Sequence, residues 1–150
     1  MGITESIPYF CLHMRTPIIT TKYIEDYVYE SSNEQGNKVT IDMRDGAEKE
    51  ELNAPELLLA ALAGCVVVDI VLIMKKKRRN VADILVETDG ERKETYPRGF
   101  TTIHLKFILV SADATEKELD KASRLSLEKY CTVADTIKAD IEYSVEIRRP

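Results

Sequence analysis

From Leu57 to Met74 the chain runs through 18 residues whose only charge is Asp69, bounded by Asn53-Ala54-Pro55-Glu56 before and Lys75-Lys76-Lys77-Arg78-Arg79 after. As a helix that run spans about 27 Å, close to the hydrocarbon core of a bilayer, and its basic flank suits a positive-inside topology. Three features point away from a membrane. An aspartate lies inside the run, the length is at the bottom of the spanning range, and amphipathic strands on both sides need a core to bury against. A soluble helix that is apolar all round is one enclosed on every side by protein. In a chain of 150 residues one layer of sheet cannot supply that cover, so a second subunit is its natural source and the expectation is an intimate dimer.

The flanking strands are read from alternation. Val39, Ile41 and Met43 face one way while Lys38, Thr40, Asp42 and Arg44 face the other, and the segment Thr21 to Glu30 is rich in Tyr, Ile and Val. With Ser31 to Asn37 as the turn, the two segments form a hairpin. The period of two recurs at Ile103, Leu105, Phe107 and Leu109, and at Ile141, Tyr143, Val145 and Ile147. Val81 to Asp89 reads as a further strand, with the charged stretch Gly90 to Phe100 as a long connection. Thr115-Glu116-Lys117-Glu118 is a capping box, which starts a helix over about 115–129 on Leu119, Ala122, Leu125 and Tyr130. With no internal repeat or linker, residues 1–150 are expected to form a single domain in which 1–20 are an N-terminal arm.

Composition excludes several functions. Lys and Arg number 21 against 26 Asp and Glu, a net charge of -5, which argues against a nucleic-acid partner held by phosphate contacts. Cysteines at 11, 65 and 131 are too few and too scattered for a secreted disulfide framework. The first 25 residues hold no basic segment followed by a sufficient apolar stretch, so the expected location is the cytoplasm, without membrane attachment. Met1-Gly2-Ile3-Thr4-Glu5-Ser6 fits only the loose myristoylation pattern.

Motifs narrow the chemistry further. Gly-x-Ser-x-Gly, P-loop, Gly-x-Gly-x-x-Gly and Cys-x-x-Cys are all absent from the sequence. His13 and His104 do not make a zinc site with cysteines this dispersed, and His104 falls on the polar side of its strand; neither a metal nor a resident cofactor is expected. The thiols remain. Cys65 follows Gly64 inside the apolar helix, where a small buried hydrophobe is the plain alternative to a reactive thiol. Cys131 precedes Thr132-Val133-Ala134-Asp135-Thr136-Ile137, a possible short helix whose N-terminus stabilises a thiolate. Cys11 lies in the irregular arm. The Lys75–Arg79 cluster complements the macrodipole at a helix C-terminus.

Several blocks together resemble a known family: Pro55-Glu56-Leu57-Leu58-Leu59-Ala60-Ala61-Leu62-Ala63-Gly64-Cys65, then Asp69 to Arg78, Gly90-Glu91-Arg92 with Phe100 to Leu105, and Leu127-Glu128-Lys129-Tyr130-Cys131-Thr132-Val133. Over residues 22–148 the chain is similar to the OsmC/Ohr proteins, the osmotically inducible protein C and organic hydroperoxide resistance proteins, and most of all to the OsmC-like predicted redox proteins. That resemblance implies an α+β fold: an interwoven homodimer in which two mixed or antiparallel sheets enclose long central apolar helices. It implies a peroxidase acting on organic hydroperoxides, with Cys65 as the peroxidatic thiolate and Cys131 as the resolving thiol. A dithiol reductant, in the family a lipoylated protein, is implied as the second partner.

Two positions differ from the family's peroxidases. The Arg that partners the reactive cysteine there falls within Tyr23 to Val28 here, where no Arg occurs; Arg15, Arg44 and Arg92 are the alternatives. The family's catalytic carboxylate sits ten residues before the cysteine, where this chain has Pro55, with Glu56 one residue later. Nine helical steps put Glu56 on the opposite side of the helix from Cys65, and Asn53-x-x-Glu56 reads equally as a helix cap. Glu56 thus enters the site only from another chain or through a kink. The acidic loop Asp45 to Glu51 leads into this helix. A binding module that holds a small hydrophobic ligand at the dimer interface is the non-catalytic alternative.

Overall fold

The computed structural model describes residues 16–150. Cys11, His13, Arg15 and the Met1–Ser6 pattern lie outside the described residues. The fold is mixed α+β, with two three-stranded sheets. By its contacts the chain forms two compact units that divide after Ala54.

The first unit is an antiparallel meander of β1 (Thr20–Glu25), β2 (Val28–Ser32) and β3 (Lys38–Asp42). The segment Thr21 to Glu30, expected as one strand, is therefore two. The chain reverses at Asp26-Tyr27, where Tyr27 takes φ 67, and a bulge follows Tyr23. No Gly or Asn marks this turn, and Asp26 is its one turn-forming residue in a segment otherwise rich in Tyr, Ile and Val. The second turn carries its chemistry openly: Asn33 Oδ1 accepts from the N–H of Gln35 and of Asn37, and Gly36 takes φ 83.

Asp42 ends β3 fully buried and organises the acidic loop behind it. Its carboxylate takes Arg44 Nε at 2.9 Å and NH2 at 2.7 Å, and the N–H of Arg44, Glu50 and Glu51. The paired guanidinium and the backbone donors hold its pKa well below the usual carboxylate range.

The second unit begins with α1 (Ala54–Lys76), followed by β4 (Asp83–Arg92) and β5 (Phe100–Val110). Next come α2 (Glu116–Leu125), a π turn (Ser126–Tyr130), α3 (Thr132–Thr136) and β6 (Asp140–Arg148). β5 is the central strand, antiparallel to β4 and parallel to β6. A parallel neighbour needs a crossover, and α2, the π turn and α3 supply it. Ile103, Leu105, Phe107 and Leu109 of β5 face the core with Ile141, Tyr143, Val145 and Ile147 of β6. On the other face His104 Nδ1 meets Glu142 at 3.3 Å and Lys106 meets Glu146 at 2.8 Å. Tyr143 donates its hydroxyl to Asp120 Oδ1, fastening β6 to α2.

β4 extends through Gly90 to Arg92, past the expected Asp89, which shortens the connection to β5 to residues 93–99. Gly90 permits this close pairing: a Cβ there would lie 2.7 Å from a ring carbon of Phe100 and 3.0 Å from the Thr102 carbonyl oxygen.

Leu62, Val66, Ile70 and Met74 form an i, i+4 stripe along α1 that is completely buried among the core residues of β5. Each such side chain contributes about 1.5–3 kcal/mol of transfer free energy. The other side of the helix is just as apolar yet open, with Leu58 41%, Val68 56% and Leu72 53% exposed. α1 is thus long and apolar enough to cross a membrane, but in this structure it carries one core stripe. Its C-terminus closes with Arg78 in the left-handed region at φ 59. Arg79 N–H reaches back to Met74 O and Arg78 N–H to Lys75 O, the Schellman pattern. Arg79 then pairs with Glu118 Oε1 at 2.8 Å, while Glu118 Oε2 closes the capping box on Thr115. The end of α1 is tied in this way to the start of α2.

Candidate functional site

Cys65 lies half-buried in α1, one residue before the buried Val66. Cys131 is carried by the opposite wall of the unit, at the junction of the π turn and α3, and is 3% exposed. The fold brings these two thiols, 66 positions apart in sequence, into one core cluster, near enough for Cys65 to act on the titration of Cys131. Cys131 Sγ also accepts the Ala134 N–H at 3.3 Å, so the thiol itself caps α3. Burial is the main influence on its acidity and the neighbouring Cys65 thiol the next, and together they outweigh the helix N–H groups and push the thiol up to about 11. The expectation of a thiolate stabilised at a helix start is therefore overturned at Cys131: α3 is a single short turn, and desolvation wins. At neutral pH Cys131 is a thiol with a proton to donate.

The π turn is what aims Cys131. Its N–H donates to Ser126 O at 2.8 Å, five residues back instead of four. Helix was expected to about 129 in α form, and the wider turn replaces its last part. Ser126 is completely buried; its hydroxyl donates to Asp69 Oδ2 at 2.7 Å and lies 3.4 Å from Val66 O. Asp69, four residues after Cys65 on α1, shares its face. In the sequence Asp69 stands as an argument against a membrane span and as the start of one family-like block, with no role at the site. Its spacing from Cys65 was the available signal; the Ser126 partner, 57 residues away, had none.

The other candidates fall elsewhere. Glu56 sits in the first turn of α1, and the helix runs unbroken to Lys76, so no kink carries Glu56 to the Cys65 of its own chain, about 13 Å along the axis. Arg44 is committed to Asp42 and also meets Glu25 at 3.5 Å. Arg92 donates to Arg98 O at 2.7 Å and stacks over the Phe100 ring. A cleft of about 390 Å³ near the π turn, α3 and β6 has Arg124, Glu128, Asp135 and Tyr143 in its lining and neither cysteine.

The model of the OsmC-like protein family matches residues 46–146, a span that holds both cysteines and the second unit from α1 as far as Glu146 of β6. The chain belongs to the OsmC-like family. Among its relatives, Protein YhfA of Escherichia coli (strain K12) is 33% identical over 129 residues, 84% of this chain and 94% of YhfA. A hypothetical protein from Aquifex aeolicus VF5 superposes with a TM-score of 0.80 at 29% identity, covering 91% of this chain and 99% of its own. The organic hydroperoxide resistance protein OhrB of Bacillus subtilis shares the fold, with a TM-score of 0.60 at 14% identity over 91% of this chain and 100% of OhrB. The family resemblance read from the blocks around Cys65 and Cys131 is thus confirmed.

Proposed function

We propose that this OsmC-like protein is a thiol-dependent peroxidase that reduces organic hydroperoxides through Cys65 and Cys131. The observation that carries the reading is the packing of Cys65 against the core cluster that holds Cys131, near enough to shift the Cys131 thiol. Cys65, the more accessible of the pair, attacks the terminal peroxide oxygen as a thiolate; the O–O bond breaks, the alcohol leaves after taking a proton, and Cys65 becomes a sulfenic acid. The Cys131 sulfur then attacks the Cys65 sulfur. The sulfenic hydroxyl departs as water, taking up the proton that Cys131 gives up, and a disulfide remains. An external dithiol, such as a lipoylated protein, restores both thiols by exchange and is itself oxidised to a disulfide.

The same reading makes residues 1–150 one domain of a cytoplasmic, interwoven homodimer, supported by the open apolar side of α1 at Leu58, Val68 and Leu72. It assigns Glu56 to the site of the second copy. A Leu72→Asp variant is expected to sediment as a monomer where the parent chain sediments as a dimer; a monomeric parent ends the dimer reading.

The test of the chemistry is a thiol count by mass spectrometry before and after stoichiometric cumene hydroperoxide, with peptide mapping. Loss of two thiols to a Cys65–Cys131 bridge is expected. Persistence of both, or oxidation of Cys11 alone, overturns the peroxidase. The open side of α1 then favours the second reading, a module that binds a small hydrophobic ligand, for which a Cys65→Ser, Cys131→Ser double variant keeps full affinity.

A further inference from the structure

Ser126 faces two ways. Its side chain reaches α1 through Asp69, and its carbonyl holds the N–H of Cys131. Asp69 in turn stands one helical turn beyond Cys65. Two hydrogen bonds thus run from Asp69 through Ser126 and the π turn to Cys131, whose cluster Cys65 packs against. Placing the one carboxylate of an otherwise apolar stretch here is costly unless it is hydrogen-bonded, and a fully buried hydroxyl at 2.7 Å meets that need. The π turn is a rare geometry; if it relaxed to an α turn, the N–H of Cys131 would seek Leu127 O, and the thiol would swing by about 100° around the axis.

We propose that Asp69 and Ser126 are positioning residues: their hydrogen bond fixes the π turn that aims Cys131 at Cys65, and so sets how fast the disulfide closes. The inference deepens the peroxidase reading and rests on it for its biological role, but disulfide closure can be measured without a peroxide. In a Cys11→Ser background, dithiobis(nitrobenzoate) reacts with the Cys65 thiolate to give a mixed disulfide and one thionitrobenzoate. The Cys131 thiolate then attacks the Cys65 sulfur, forms the Cys65–Cys131 bond and expels the second thionitrobenzoate, its own proton having passed to solvent.

In the background chain the second release is expected to follow the first without accumulation of the mixed disulfide. Ser126→Ala and Asp69→Ala should slow the second release about tenfold or more, the scale of losing one charge-assisted hydrogen bond, with the mixed disulfide visible by intact mass and the first release unchanged. Ser126→Thr and Asp69→Asn keep a donor and an acceptor and should recover most of the rate, which a merely space-filling role would not predict. Closure at the background rate in Ser126→Ala, or a background chain that never closes the bridge, overturns the proposal; Ser126→Ala decides alone if Asp69→Ala does not fold. Clamp-dependent closure in a protein inert to cumene hydroperoxide upholds the positioning role and removes the peroxidase reading.

Discussion

Cys131 holds its proton more firmly in the folded chain than an ordinary thiol does, because burial and Cys65 both favour the neutral form. Its alkylation by iodoacetamide in a Cys11→Ser chain should therefore rise about tenfold per pH unit up to pH 10 without levelling. A plateau near pH 8 would place its thiolate in the usual range and contradict the burial. The sign for stability follows from the same shift. A raised thiol pKa contributes fully below about 9 and the contribution is lost as pH climbs through about 11. The two cysteines stood out in the sequence as members of the family-like blocks; periodicity alone gave no sign that they share one cluster, because that depends on how a crossover is laid over α1. Arg44 and Arg92 show the converse, since their partners Asp42 and the Arg98 carbonyl lie close in sequence and still offered no periodic signal.

At the level of elements, periodicity located what depends on one buried face. β3, β5 and β6 and the capped start of α2 stand where alternation and the Thr115–Glu118 box put them. What it did not locate are changes of backbone geometry that the period of apolar residues does not record: the reversal at Tyr27, the π turn and the continuation of β4 through Gly90. The close of α1 belongs here as well. Arg78 occupies a left-handed position that glycine takes without a Cβ penalty. Arg78→Gly is expected to raise the unfolding free energy by about 0.5–1 kcal/mol. Urea denaturation checks this, and a loss of stability would show that the Arg78 side chain holds a contact worth more than the backbone strain.

Across the whole molecule the acid and the alkaline limits of stability rest on different groups, Asp42 for the one and Cys131 for the other. In the first unit the Arg44 pair and the backbone donors lower the Asp42 pKa. Its contribution is therefore present above the ordinary carboxylate value of about 4 and is lost as pH falls below it. Asp42→Asn should lower the melting temperature at pH 7 and remove much of the further loss seen between pH 4 and 2; an unchanged acid limb would dissociate the acidic loop from stability. The fold class was legible through the family resemblance of the blocks around Cys65 and Cys131. The parallel placement of β6 beside β5 was not, since alternation carries no direction.

The short connection from β4 to β5 leaves Tyr96 84% exposed, between Lys93 and Arg98. Trypsin should find these two bonds early, as it does at exposed loop tips. The nicked protein should nevertheless elute from a sizing column as one species, because the ladder from Asp83–Val110 to Arg92–Phe100 still joins the fragments. The connection is then a place where the chain can be opened, tagged or recircularised without disturbing the thiols.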